Sequence, residues 1–560
     1  MRIALLLLLT LPLAACGGCG GNPYAVPVDT APAARPGNMD DPNIGRARAA
    51  SVVTDETGMP TPGQILSWVE DFTEFGHRRS GTEALRRAEE YILQHFETIG
   101  LEDVRFEEST TWQWEAEAWG LQVAGEDIDS FPVHHCFITP GEATEFSTGP
   151  SGLTAELVDI GNGSGITPDL VEGKIAVFDL DFIVPSVGLL LTADFWWDPA
   201  KSALREPRAL LQSNPYITSL PKVAGELMDA GAVGFVGVLA DYFDSNQYYN
   251  EYYRRQEFTI PAVWVTRTEG ANIRRLARGG ADATLTMEGF RREVPARTVI
   301  GMLPGRSNET IQVQSHHDST WDGAVQDGSG AAALLALAHY YAAQPAESRE
   351  KSMMFTTFSS HWTGYQAHQD FVERYVTNNE SPYAIVANVT VEHIAKHGTI
   401  HPRTRELVVA EEAPEPRGIL HTVSYELAEG IANAVKEHDM RRTAVMRPHI
   451  IGMPTDASFM YTAGVPVVSL ISGPLYLYDA ADTLDKVPVG ELYRVPRTMA
   501  AIIDLLDATP AEAIGDDGII AGMKHGEFDR AMGGWVGGIF RWLPFLRRYI
   551  PSETPDTEGW

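Results

Sequence analysis

Apolar residues fall into helical register as soon as the chain becomes regular. Ile65, Trp68, Val69 and Phe72 share one face, and after Gly81 a second run places Ala88, Tyr91, Ile92, His95 and Phe96 together before Gly100 ends it. This spacing predicts two helices leading into a strand near 104–107. Residues 151–290 have another texture, with short β-type runs at 153–160, 174–180, 233–239 and 261–265 separated by Gly and Pro, and one helix over 222–230 stopped by Gly231. From about residue 297 the pattern alternates. Strands are expected at 299–303, 310–315, 352–359, 383–391 and 465–471, with helices at 329–342, 364–376, 420–438 and 497–508. Strands alternating with helices predict an α/β fold whose mostly parallel sheet is covered on both faces.

The two ends of the chain read differently. Arg2 precedes an apolar stretch over 3–15 that is too short to span a bilayer and has the layout of a targeting segment. Leu13-Ala14-Ala15-Cys16 resembles the bacterial lipobox, which implies lipidation at Cys16 and an exported protein anchored in the membrane, at the outer membrane and periplasm or the cell surface. Residues 16–62, rich in Gly, Pro, Ala and Asp, suit a solvated tether. The expected divisions are a signal peptide at 1–15, the tether at 16–62, a first part of the main domain at 63–150, an inserted β-rich unit at 151–290, the main part at 291–510 and a tail at 511–560. The tail turns apolar around Trp535, Phe540, Trp542 and Phe545, but Pro544, Arg541, Arg547 and Arg548 argue against a spanning helix. Docking on the body and lying at a membrane interface both remain open for it.

Composition narrows the partners. With 43 Lys plus Arg against 75 Asp plus Glu, the net charge is -32 over 560 residues. Such a balance excludes nucleic acid as a partner, because binding there depends on clustered cations. The length calls for more than one packed unit. Three cysteines, two of them in the leader region, exclude a disulfide scaffold.

The chemistry gathers where the fold predicts it. In open α/β sheets reactive groups collect beyond the carboxyl ends of the strands. The strand at 310–315 runs into His316-His317-Asp318, the strand at 352–359 into Ser360-His361, and the strand at 383–391 into Glu392-His393. Eleven of the 16 histidines lie between positions 316 and 449, and imidazole with carboxylate is a donor set preferred by zinc. His339 and His368, expected in mid-helix, are read as core residues. Asp318 beside His316 is placed to brace a ligand imidazole. In the loop 323–330, Ser329 is expected to cap the next helix.

The order of these pieces resembles the zinc aminopeptidase and carboxypeptidase family M28. The resemblance covers roughly 62–510 and rests on HRRSGTEALRRAEEYILQHFETIGL, RTVIGMLPG, QSHHDS, GAVQDGSGAAALLALAHYY, MMFTTFSSHWTGYQAH, VANVTVEH, PTDASFMYTAGVPVVSLISGP and YDAADTLDKV. The segment 151–290 resembles a protease-associated insert through AELVDIGNGS, VEGKIAVFDLD, KVAGELMDAGAVGFVGVL and TIPAVWVTR. What the family resemblance implies is a pair of zinc ions, a glutamate base and a peptide substrate. His316 matches the first ligand, Asp318 its supporting aspartate and Glu392 a later carboxylate ligand. The bridging aspartate aligns with Gln326, with a carboxylate one place on at Asp327. The Glu-Glu pair of base and ligand aligns with His361-Trp362, and the final ligand histidine with Tyr478.

Trp362 cannot coordinate a cation, and Gln326 carries no charge. The departures leave three arrangements: a one-metal site built from His316, Glu392 and Asp327 or His361; a rearranged site with His361 as base; or a site that binds peptide or glycan without hydrolysis. Zinc is expected as one or two ions. His317, His393 and Asp456 are further candidates, Asp456 either reading a substrate amine or capping a helix. A serine hydrolase is a distant alternative, because no Gly-x-Ser-x-Gly follows a strand.

Overall fold

A computed structural model describes residues 51–516, apart from 184–192, 207–211, 213, 251–256, 379–380 and 449–452. Cys16, the leader and the apolar tail lie outside the described residues. Among the described residues no helix is long and apolar enough to cross a membrane.

The chain opens with helix α1 (Pro62–Glu74), whose first turn is capped by Thr61 accepting from the Gln64 amide, and α2 (Glu83–Thr98), capped in the same way by Thr82. The expected short strand near 104–107 is part of a much longer one, β1 (Glu102–Val123). Strands β2 (Leu153–Asp159), β3 (Ile175–Asp179), β4 (Gly234–Leu239) and β5 (Ala262–Thr266) follow, with α3 (Leu220–Asp229) before β4 and α4 (Arg267–Ala277) after β5. They form a parallel run in the order β2-β3-β4-β5. The chain then returns along β6 (Asp282–Leu303), which pairs antiparallel with β1 from Glu102↔Met302 to Val123↔Ala283. The expected division at residue 290 therefore falls inside a single continuous strand.

The alternating half contains β7 (Glu309–His316), α5 (Gly330–Ala342), β8 (Ser352–Phe358), α6 (Gln366–Val372), β9 (Ala384–Val391), β10 (Arg417–His421), α7 (Tyr425–Glu437), β11 (Thr443–Met446), α8 (Ser458–Thr462), β12 (Val467–Ser472) and α9 (Val489–Ala508). Its sheet order is β6-β8-β7-β9-β12-β10-β11, and the four central strands β8, β7, β9 and β12 are parallel. Their buried Met, Phe, Val and Ile runs fit a layer covered on both sides. Two predicted helices have different limits: Leu420 lies in β10, so α7 starts only at Tyr425, and α9 starts at Val489, eight residues early. Leu420 is apolar on either reading, and periodicity alone does not separate a short buried strand from a helix start.

Candidate active site

Three parallel strands end side by side, and the residues just past their carboxyl ends meet. His316 closes β7. Its Nδ1–H donates to the Asp318 carbonyl at 3.0 Å and to Oδ1 at 3.2 Å, which leaves Nε2 a buried lone pair without a partner among the described residues. Beyond β8, Ser360 takes a left-handed φ of 70° and a single 3-10 turn presents His361. The His361 ring stacks on that of His316 with centroids 4.0 Å apart. Its Nδ1 lies 2.9 Å from Asp456 Oδ1, and its Nε2 lies 3.2 Å from the Gln326 side-chain amide nitrogen. His368, on α6, donates Nε2–H to the other Asp456 oxygen at 2.9 Å. Beyond β9, Glu392 Oε1 accepts the Asp456 amide N–H at 2.9 Å.

One donor atom from each of His316, His361 and Asp456 lies within 4.8 Å of the other two, all three residues being buried. Asp456 enters from the loop before α8. Burial alone would raise its carboxyl, but His361 and His368 outweigh burial and hold it well below the usual range. Burial likewise works to raise Asp318, and the His316 hydrogen bond together with the neighbouring imidazoles brings it below its ordinary value. For Glu392 the balance goes the other way: burial, then Asp456 and Asp327, push it well above the carboxylate range against the weaker pull of His361 and the Asp456 amide.

The remaining candidates take supporting places. Asp327 accepts from Ser315 Oγ at 2.6 Å and from the amides of Gly330 and His393 at 3.2 and 3.0 Å, so its carboxylate ties β7, α5 and the end of β9 together. Burial pushes it up to about 6. His317 lies 3.9 Å from Glu89 of α2. His393, at a left-handed φ of 56°, donates Nδ1–H to Tyr216 Oη at 2.9 Å and to the Ser472 carbonyl at 3.0 Å, and its buried Nε2 has no partner among the described residues. Trp362 and Tyr478 pack edge to face at 4.9 Å, and Tyr249 packs on the Trp362 ring at 5.2 Å. Tyr216 and Tyr249 both come from the segment read as an insert.

Residues outside the sequence reading of the site hold its loops. Asp482 accepts the Val325 and Gln326 amides at 2.8 and 2.9 Å. Buried Arg78 donates to the carbonyls of Phe72, His317, Asp322 and Gly323. Both stand inside HRRSGT and YDAADT, two of the segments on which the family resemblance rests. His368, read as a core residue, carries a hydrogen bond to the cluster through a helix position that periodicity could not distinguish from packing.

The match that decides the assignment lies in the alternating part of the chain: residues 298–503 fit the sequence profile of Peptidase family M28. Residues 298–503 are an M28 peptidase domain. No curated protein matches the sequence. Solved structures with the same fold include an M28 peptidase precursor from Shewanella amazonensis SB2B, at 17% identity over 84% of this chain and 98% of that one, with a TM-score of 0.57. A zinc aminopeptidase from Bacillus subtilis is also 17% identical, over 81% of this chain and 97% of its own, with a TM-score of 0.57. An aminopeptidase from Aneurinibacillus sp. strain AM-1 is 15% identical over 84% and 98%, with a TM-score of 0.53. The M28 domain of this chain thus carries its cluster on a shared scaffold, with β7, β8 and β9 delivering His316, His361 and Glu392.

Proposed function

We propose that the chain is an exported, lipid-anchored, metal-dependent exopeptidase of aminopeptidase type with a single-metal centre held by His316, His361 and Asp456. The convergence of those three donors carries the reading. Two imidazoles and a carboxylate are a donor set that suits zinc. Asp456 Oδ1 and His361 Nδ1 stand 2.9 Å apart in a hydrogen bond that a bound ion would replace. A second ion does not fit, because Trp362 offers a cation no lone pair and Gln326 no charge.

When bound, a divalent ion at this place would polarise a scissile carbonyl and acidify a water molecule. The chain's own residues do the rest. Asp318 fixes the His316 tautomer through Nδ1, so that Nε2 faces the cluster as a lone pair. Glu392, held by the Asp456 amide, is the adjacent carboxylate placed to carry a proton between the attacking water and the leaving amine. Trp362, Tyr478 and Tyr249 form an apolar wall that keeps bulk water from this side. The insert, of protease-associated type in this reading, shapes the site from above through Tyr216 and Tyr249.

The test is metal content with turnover. Purified protein is expected to hold close to one equivalent of zinc and to release an N-terminal aminoacyl reporter until a chelator is added. A second reading, binding without hydrolysis, is favoured by Trp362 at the place the family resemblance gives to a ligand; zinc-free, inert protein that still retains peptide would establish it instead.

A further inference from the structure

We infer that His368 is a positioning residue that orients the Asp456 carboxylate toward the metal centre; the inference rests on the single-metal reading above. Neither residue belongs to the ligand set that the family resemblance implies. Both are about 1% exposed, and the His368 Nε2 to Asp456 Oδ2 distance is 2.9 Å. A carboxylate can only accept, so the proton sits on Nε2. Nδ1 has no partner among the described residues, so nothing competes for the other tautomer.

The ring has little freedom. Phe358 stacks on it at 4.1 Å and 23°, Phe459 covers it at 5.3 Å and 33°, and Tyr365 closes the edge at 5.6 Å. Phe459 follows Asp456 by three residues, so the segment that supplies the carboxylate also grips the imidazole bonded to it. With Oδ2 held by His368 and the backbone amide held by Glu392, Asp456 is left with Oδ1 turned to His361. Loss of the Nε2–H donor would leave a buried oxygen unsatisfied and free the carboxylate to rotate about its terminal bond. A ring that merely filled the slot would not discriminate between substitutes with and without a donor.

The experiment compares His368→Gln with His368→Met in the full chain. The two side chains have similar length and volume, and only glutamine supplies an N–H near the place of Nε2. Zinc affinity is read by competition with a chelating dye, and the midpoint of thermal unfolding is recorded without metal. His368→Gln is expected to bind zinc within about threefold of the unsubstituted chain, and His368→Met about 10–100-fold more weakly, the range seen when an outer hydrogen bond to a ligand is lost. Equal zinc affinity in the two variants, whether both intact or both reduced, overturns the positioning role. An unsubstituted chain that takes up no zinc overturns the single-metal reading itself, and is distinguished by the first titration.

Discussion

The imidazoles of His316 and His361 lie face to face, with planes 13° from parallel, although 44 residues, among them α5 and β8, separate them in the chain. Each is held at Nδ1 by an aspartate, Asp318 for one and Asp456 for the other. In the single-metal proposal Asp318 braces the first ring, while Asp456 stands beside the second as the third donor.

Removing one proposed ligand at a time tests the centre directly. His316→Ala and Asp456→Asn are each expected to lower zinc affinity by at least about tenfold and to abolish chelator-sensitive turnover. Equilibrium dialysis followed by metal analysis checks the first effect, and a reporter assay the second. Zinc uptake unchanged in both variants would remove these residues from the centre.

Arg78 is a structural prediction of a different kind. Burial lowers its guanidinium to about 10, partly offset by Asp482, Asp318 and Asp327, and its four backbone acceptors include His317 and Gly323 on either side of the loop after β7. Arg78→Met should cost about 3–5 kcal/mol, because four backbone carbonyls lose their donor at about 1 kcal/mol or more each. Urea unfolding followed by fluorescence measures it, and a loss below 1 kcal/mol, about the value of a single exposed pair, would contradict the assignment.

Gly330 opens α5 where no side chain fits. A Cβ there would stand 2.3 Å from Asp327 Oδ2 and 2.5 Å from the Val391 carbonyl. Gly330→Ala is therefore expected to push the Asp327 carboxylate out of its three hydrogen bonds and to destabilise the domain by about 1–3 kcal/mol. A thermal midpoint equal to that of the unsubstituted chain would show that the loop yields more readily than its packing suggests.

Asp479 predicts a pH effect with a definite sign. Burial pushes its carboxyl from 3.8 up to about 7, against the pull of Ser245, Ala481 and Tyr242. The folded chain thus binds more protons than the unfolded one between those values, so this group's contribution to stability is present in acid and is lost as pH rises through about 7. Asp479→Asn removes that loss. Relative to the unsubstituted chain, the variant should gain stability between pH 5 and pH 8 in denaturant titrations; a difference that stays constant or shrinks would show that the carboxyl titrates normally.

Cys16→Ser tests the anchor. The substituted protein is expected in the soluble fraction after cell lysis, with the unsubstituted one in membranes and labelled by a fatty-acid probe.

Much of this organisation was legible in the chain. Strands that end in His316, His361 and Glu392 announce themselves by apolar runs followed abruptly by polar residues, because a fully buried parallel strand must be apolar throughout and its end must leave the layer. Asp456 could not be placed so firmly. It sits in a loop whose direction is fixed by α8 and β12 together, and its use by His361 and His368 is a relation between segments about 90 residues apart. The long pairing of β1 with β6 escaped for a related reason: Glu, Arg and Thr alternate along much of both strands, giving the weak signal of a ribbon exposed on one face.

That ribbon carries a practical corollary. Val123 stands opposite Ala283, so the two strands could be joined by a tight hairpin connection and everything between them excised without breaking the pairing below. The trimmed molecule would keep its central layer and every proposed ligand, yet lose Tyr216, which touches His393, and Tyr249, which packs on Trp362. Whether turnover survives such surgery would tell apart a lobe that only roofs the centre from one that builds part of it.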